Sequence, residues 1–334
     1  MKKIRLAGLI LLAPLTLLCA CSGGTPLSFT ANWYRNTTLG GSVKDTSETL
    51  VYDVSFTPEE NENGFSVEYD TGTYRTSLVN ENITLADGST TEGYRYTTEL
   101  TIGGRYRLNG EESEPFQDSV TSTVSFLPVA HGLQPVKSEK EVVSTSPLSS
   151  SPASLENAFT TYHYSYTVEY DAALTAAKAT YSDLTENEDG ELPAPETREY
   201  DIEGDTTFLD NEQVLFALRG LTLTSTASFR TINQVTGMVS ELATGSSSAA
   251  PTAVKETVSF TMDGSAVEQE IDAIKLTLSY QSSPSGQAQT LVYAATTDAN
   301  DNVYRNVLLK MEVPVLQSLG TLVYTLKEAS FANK

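Results

Sequence analysis

The residues that most often carry metal and redox chemistry are scarce in this sequence: two cysteines and two histidines in 334 residues. Two histidines without accompanying cysteines supply too few ligands for a structural zinc site. A serine triad would have to recruit His131 or His163, and no Gly-x-Ser-x-Gly elbow is present. Basic residues are scarce as well. The chain has 21 Lys and Arg against 43 Asp and Glu, a formal net charge of −22. So acidic a chain lacks the basic surface that nucleic acid requires, which excludes that partner class. Lying flat on anionic lipid is disfavoured for the same reason. Among so many acids, a pair of carboxylates at glycosidase spacing arises by chance and carries no signal. No cofactor and no metal is expected.

Long apolar runs are also missing, with one exception near the start. Lys2, Lys3 and Arg5 precede the apolar stretch Leu6 to Leu18. That stretch is too short to span a bilayer comfortably and contains Pro14. It ends in Leu18-Cys19-Ala20-Cys21, which resembles the bacterial lipoprotein signal: an aliphatic residue, a small residue before the cut, then cysteine. Cys19 is no rival, because Leu18 is too large to precede a cut there. The resemblance implies a signal peptide over 1–20 and lipidation of Cys21 with palmitate-type acyl chains. It places the protein at the cell membrane, on the extracytoplasmic face, in the outer membrane where the organism has one. After removal of residues 1–20, no cysteine but Cys21 is left to form a disulfide, and lipidation explains that single thiol. Several acyl chains give stable anchoring where one does not. Residues 21–28 read as a flexible tether, and ten extended residues reach only about 35 Å. The folded part is therefore expected close to the bilayer, starting at Phe29, Trp33 and Tyr34.

What the chain does have is strand signal. Thr49 to Phe56, Phe65 to Tyr69, Tyr94 to Leu100, Arg105 to Leu108, Val120 to Phe126 and Tyr162 to Val168 alternate apolar and polar residues. Ala227 to Ile232, Glu256 to Met262, Ala273 to Tyr280, Thr290 to Ala295, Val303 to Val313 and Gly320 to Lys327 continue the series. Period two with Thr, Tyr and Val enrichment indicates half-buried antiparallel strands. Gly103-Gly104 reads as a turn. Ser144 to Ser154, Asp183 to Glu196 and Gly245 to Thr252 read as surface loops. One segment breaks the rhythm. Asp210 to Gly220 reads as a short helix, with Asp210 as cap, Gln213 closing a capping box and Gly220 as an αL stop. Val214, Leu215 and Leu218 share the face expected to pack on the sheet.

Several strings together look like the domains grouped with the LolA and LolB lipoprotein carriers. They are Asp118 to Phe126, Gly132 to Ser138, Asp210 to Arg219, Ile274 to Leu278, Leu291 to Ala294, Arg305 to Glu312 and Gly320 to Leu326. This resemblance implies a large, curved antiparallel sheet, an unclosed barrel, with one short helix against its concave face. It also implies a concavity able to hold lipid-like groups. A single mainly β domain is expected over 29–330, with a division of the sheet near 144–154 as an open alternative.

Two further features bear on function. Thr185, Asn187, Asp189, Gly190 and Glu196 partly match a calcium-loop spacing, but position one is Thr and prolines interrupt it. Asp298, Asn300 and Asn302 alternate as oxygen ligands would, in a pattern that hairpin loops favour anyway. Tyr94 and Tyr96 share one strand face, as do Tyr162, Tyr164 and Tyr166. Such stripes can line a ligand groove or grip carbohydrate. The leading expectation is a non-enzymatic, membrane-anchored lipoprotein that binds an apolar, lipid-like ligand or a cell-envelope component. The alternatives are a surface structural or interaction module without a small ligand, and an envelope hydrolase.

Overall fold

A computed structural model of the chain describes residues 27–30, 46–59, 64–187, 189–234, 237–245, 249–281, 288–297, 300 and 303–333. Cys21, the signal segment, most of the tether, Trp33, Tyr34, Asp298 and Asn302 lie outside the described residues.

Seventeen strands follow in order. They are β1 (Thr46–Pro58), β2 (Phe65–Tyr69), β3 (Gly72–Thr84), β4 (Thr90–Leu108), β5 (Glu111–Glu112), β6 (Phe116–Phe126), β7 (Pro135–Pro147), β8 (Phe159–Tyr170) and β9 (Ala176–Asp183). Then come β10 (Glu196–Asp201), β11 (Ser228–Asn233), β12 (Met238–Ala243), β13 (Thr252–Met262), β14 (Ser265–Tyr280), β15 (Gln289–Ala294), β16 (Leu308–Pro314) and β17 (Gly320–Asn333). The α-helix α1 (Val214–Ala217) lies between β10 and β11, with a 3-10 turn at each end.

The strands form one antiparallel ladder that runs β13-β14-β15-β16-β17-β1-β3-β4-β6-β7-β8-β9-β10. β2 and β5 extend the far end of β4, and the β11–β12 hairpin joins the end of β14. The expectation of an unclosed sheet is corrected at one end. Strands β13 to β17 close into a small five-stranded barrel, because Thr261 and Met262 pair in parallel with Glu328 and Ala329. Twist and bulges explain the closure. The register shift at Val292/Tyr293 lies inside the barrel, and that at Val51/Tyr52 lies on the β1–β17 pair beside it; both add local coil to right-twisted strands. The Asp263-Gly264 turn between β13 and β14 then acts as a latch. The Asp263 N–H donates to Ala329 O at 2.9 Å, and Asp263 Oδ1 accepts from the Phe331 N–H at 2.7 Å.

Three local readings also change. Gly103 and Gly104 do not turn; β4 runs through them. A Cβ on Gly104 would meet Glu68 O and the Phe116 ring at 2.8 Å, so glycine is there for close packing. The strand expected over Val303 to Val313 begins at Leu308, because Arg305 and Asn306 take left-handed backbone angles (φ 49° and 51°) that break it. Ser144 to Pro147, read as loop, continue β7 and pair with β8.

The inner face of the sheet carries the core: Leu50, Tyr52 and Val54 of β1, Leu78 of β3, Val124 and Phe126 of β6, Ile271 and Leu276 of β14, and Leu291 of β15. The helix is set into this face. Its capping box forms as expected: the Glu212 N–H donates to Asp210 Oδ1, and the Asp210 N–H donates to Gln213 Oε1. Its burial is not one-sided, however. Val214, Phe216, Ala217, Leu218, Arg219 and Gly220 are all buried, and Leu215 is half-buried. Gly220 does not adopt αL; the chain leaves through an extended Leu221 instead. Arg219 enters the core and pairs with Glu48 of β1 through Nη1 to Oε1 at 2.5 Å and Nη2 to Oε2 at 2.8 Å. Phe29 packs in the same core, with Leu27 against it.

Candidate functional site

The two tyrosine stripes meet different fates. Tyr94 and Tyr96 are only 1 % and 5 % exposed, so they face no ligand space. Tyr94 stacks on Phe126 at 5.8 Å, and Tyr96 lies 5.4 Å from Phe216 of the helix. β4 sits in the middle of the ladder, where the helix covers the inner face, and that cover buries the stripe.

The stripe on β8 lies near the open end of the ladder, past the helix. Cross-strand register builds the site there. Tyr166 of β8 pairs with Tyr181 of β9, and Tyr181 with Glu196 of β10. One row over, Val168 pairs with Ala179, and Ala179 with Arg198. Tyr200 follows two residues beyond Arg198 on the same face. Tyr162, Tyr166, Ala179, Tyr181, Glu196, Arg198 and Tyr200 line a cleft of about 540 Å³. Ala179 is the small residue in the centre of this floor, and the larger side chains stand around it. Gln234 and Gly237, at the turn between β11 and β12, form the overhanging wall. Tyr164 flanks the cleft with its ring 5.4 Å from that of Tyr181.

Each wall is held from behind. Gln234 Nε2 donates to Glu212 Oε1 at 3.1 Å, and Lys140 Nζ reaches Glu212 at 3.0 Å and Gln234 at 3.4 Å. This knot ties the overhang to the helix N-terminus. Asp210 extends it, accepting from Ser138 Oγ at 2.6 Å and Tyr170 OH at 2.5 Å. Further along the same face, Val168, Tyr170 and Ala177 pack with Ile202, Phe208 and Ile232 in an apolar cluster that includes Tyr166 and Ala179 of the cleft.

The polar groups of the cleft are less satisfied. Tyr166 is 8 % exposed, and its hydroxyl is buried with no hydrogen-bond partner. Burial, with Tyr200 beside it, pushes its phenol well above the ordinary range. Burial raises that of Tyr181 too. Both rings therefore stay neutral and able to donate at any physiological pH. Arg198 is exposed and makes no ion pair among the described residues.

The other candidates disperse. His131 is exposed in the turn after β6, and His163, on the opposite face of β8 from the stripe, faces Glu141 at 3.2 Å. Asn187 is occupied by its own turn, with Oδ1 accepting from the N–H groups of Asp189 and Glu191. Asn300 donates to Asp272 O and Ala295 O. Among the described residues no three or more His, Cys, Asp or Glu gather as a metal would need, and no helix is long and apolar enough to cross a membrane. Two smaller spaces are present. One of about 190 Å³ adjoins the helix at Asn211, Glu212 and Tyr280; another of about 200 Å³ lies over Asp118.

Tyr181, Arg198 and Tyr200 were not singled out in the sequence. β9 and β10 are short, and the charges of Glu196, Arg198, Glu199 and Asp201 mask a period-two pattern that was nevertheless readable.

No family model matches this chain, the lipoprotein-carrier families included, and no curated protein matches it. A solved structure, described as a β-barrel-like protein of domain of unknown function DUF1849 from Brucella abortus, is similar to it. The match has a TM-score of 0.48 at 8 % identity and covers 87 % of this chain and 100 % of that one.

Proposed function

We propose that this chain is a non-enzymatic binding protein of the cell envelope, held at the membrane through Cys21, and that its ligand is a saccharide seated in the tyrosine cleft. The observation that carries this reading is the cleft itself: tyrosines on three adjacent strands around the small Ala179, within the size range of ligand pockets. Tyrosine offers an apolar ring face and a polar tip, which suits a sugar's apolar ring face and hydroxyl edge. A lipid tail would favour aliphatic walls and a deep, dry groove. The inner face that a lipid would need is filled by Val214, Phe216, Ala217 and Leu218 of the helix. Binding requires no bond chemistry, and the scattered positions of His131 and His163 support a site without it.

The test is a glycan array probed with the full chain in mild detergent, followed by calorimetry on the best hit and by mass spectrometry for co-purified lipid. Saccharide binding that weakens about tenfold in Tyr181→Ala is expected, which corresponds to one aromatic contact of about 1.4 kcal/mol. Stoichiometric lipid, or no saccharide bound at all, overturns the reading.

A further inference from the structure

Arg198 is a cation without an acid partner. Acids outnumber bases by 43 to 21 in this chain, and among the described residues some arginines find a carboxylate, while Arg75, Arg230 and Arg305, like Arg198, make no ion pair. Arg95 meets Glu81, Arg105 meets Glu112, Arg107 meets Glu68 and Glu112, and Arg219 meets Glu48. Arg198 has Glu196 two residues away on the same face of β10, yet the two make no ion pair. The guanidinium is instead turned to the overhang. A Cβ on Gly237, which sits at φ +61°, would collide with Arg198 Nη1. The cleft thus presents an unpaired planar cation at its wall and an unpartnered, buried hydroxyl, that of Tyr166, at its floor.

We infer that the cleft selects a carboxylate-bearing saccharide of the hexuronate type, with Arg198 gripping the carboxylate and the Tyr166 hydroxyl taking a ring hydroxyl. This rests on the saccharide reading above and narrows it. Guanidinium binds a carboxylate through two parallel hydrogen bonds, a fixed geometry that lysine or a neutral donor does not reproduce. A neutral sugar leaves the cation without a partner. An acidic peptide supplies the carboxylate but no hydroxyls for Glu196, Gln234 and Tyr166.

The test uses the full chain and two probes of identical ring structure, trigalacturonate and its methyl ester, measured by calorimetry at low and at physiological salt. The acid is expected to bind at least tenfold more tightly than the ester, with a preference that shrinks as salt rises. Arg198→Gln abolishes the preference, bringing the affinity for the acid down to that for the ester. Arg198→Lys restores only part of it. Gly237→Ala, which displaces the guanidinium without removing it, lowers it. Arg198 is exposed, so Arg198→Gln is expected to keep the parent melting temperature. Equal affinity for acid and ester sinks the charge selection while the saccharide reading stands. Failure of both probes, together with a silent glycan array, sinks the two together. Tighter binding of polyglutamate than of trigalacturonate overturns the inference in favour of an acidic peptide.

Discussion

At the scale of residues, buried charge decides most. Glu48 and Arg219 are both enclosed, and Arg219 also donates to Arg305 O from Nη2 at 2.9 Å. Glu48→Ala would strand a guanidinium in the core, and a loss of about 3–5 kcal/mol in urea unfolding is expected. A Glu48→Leu, Arg219→Met double variant should recover most of it, since no charge is then left to desolvate. Asp118 gives a second prediction, in pH. Burial lifts its carboxyl to about 6, although hydrogen bonds from Thr145 pull it down. The unfolded chain titrates the same group near 3.9, about the ordinary value. Between those values the folded state binds more proton, so this group's contribution to stability falls as pH rises from about 4 to about 6 and stays low above. Asp118→Asn keeps an oxygen for the Thr145 N–H. It should gain about 1–2 kcal/mol at pH 7 and nothing below about pH 4, in urea titrations run at each pH. The site was half legible at this scale. Tyr162, Tyr164 and Tyr166 follow from period two on one strand. Tyr94 and Tyr96 carry the same signature and are buried, because which stretch of sheet the helix covers is a tertiary fact. Tyr181 and Arg198 reach the cleft through register, which alternation along one strand does not reveal.

At the scale of elements, the helix was legible because its signals are local: Asp210 and Gln213 lie three residues apart and bond reciprocally. Its all-round burial was not, since that depends on strands far away in sequence. The carboxylate of Asp210 caps the helix and also accepts from Ser138 and Tyr170, so Asp210→Ala removes more than a cap. A loss of at least about 2 kcal/mol is expected in chemical unfolding, at or beyond the upper end for caps. The β13–β14 turn allows a cleaner experiment. Gly264 sits at φ +80° and a Cβ there would touch nothing. Gly264→Ala therefore reports backbone strain alone, about 1–2 kcal/mol. The Phe331 amide, held by the neighbouring Asp263, should show faster hydrogen exchange in Asp263→Gly than in Gly264→Ala.

At the scale of the whole molecule, alternation revealed the β class and left closure unread. Closure depends on two residue pairs, Thr261 with Glu328 and Met262 with Ala329, plus one turn. Neither pairing leaves a mark on local pattern. Net charge acts here as well. With 43 acids against 21 bases the folded chain repels itself. The thermal midpoint is expected to rise by a few degrees between about 0.01 M and about 0.15 M salt, as the Debye length contracts from about 30 Å to about 8 Å. A flat profile in scanning calorimetry would show that the surface pairs already absorb that repulsion. The ladder is asymmetric, sealed at the barrel and ending in β10 at the other side, and the cleft lies at that unsealed end.

The pairing of β1 with β17 has a kinetic consequence. It joins Thr46–Pro58 to Gly320–Asn333, the first and last strands of the ladder in sequence, and one edge of β1 has no partner until β17 exists. A chain emerging amino end first can pair β1 with β3 early but must hold the other edge of β1 open until its last strand arrives. Contacts of such long range make folding slow, on the order of milliseconds to seconds even after the chain is complete. Delay of this kind prolongs the time for which unpaired strand edges stay open to other chains.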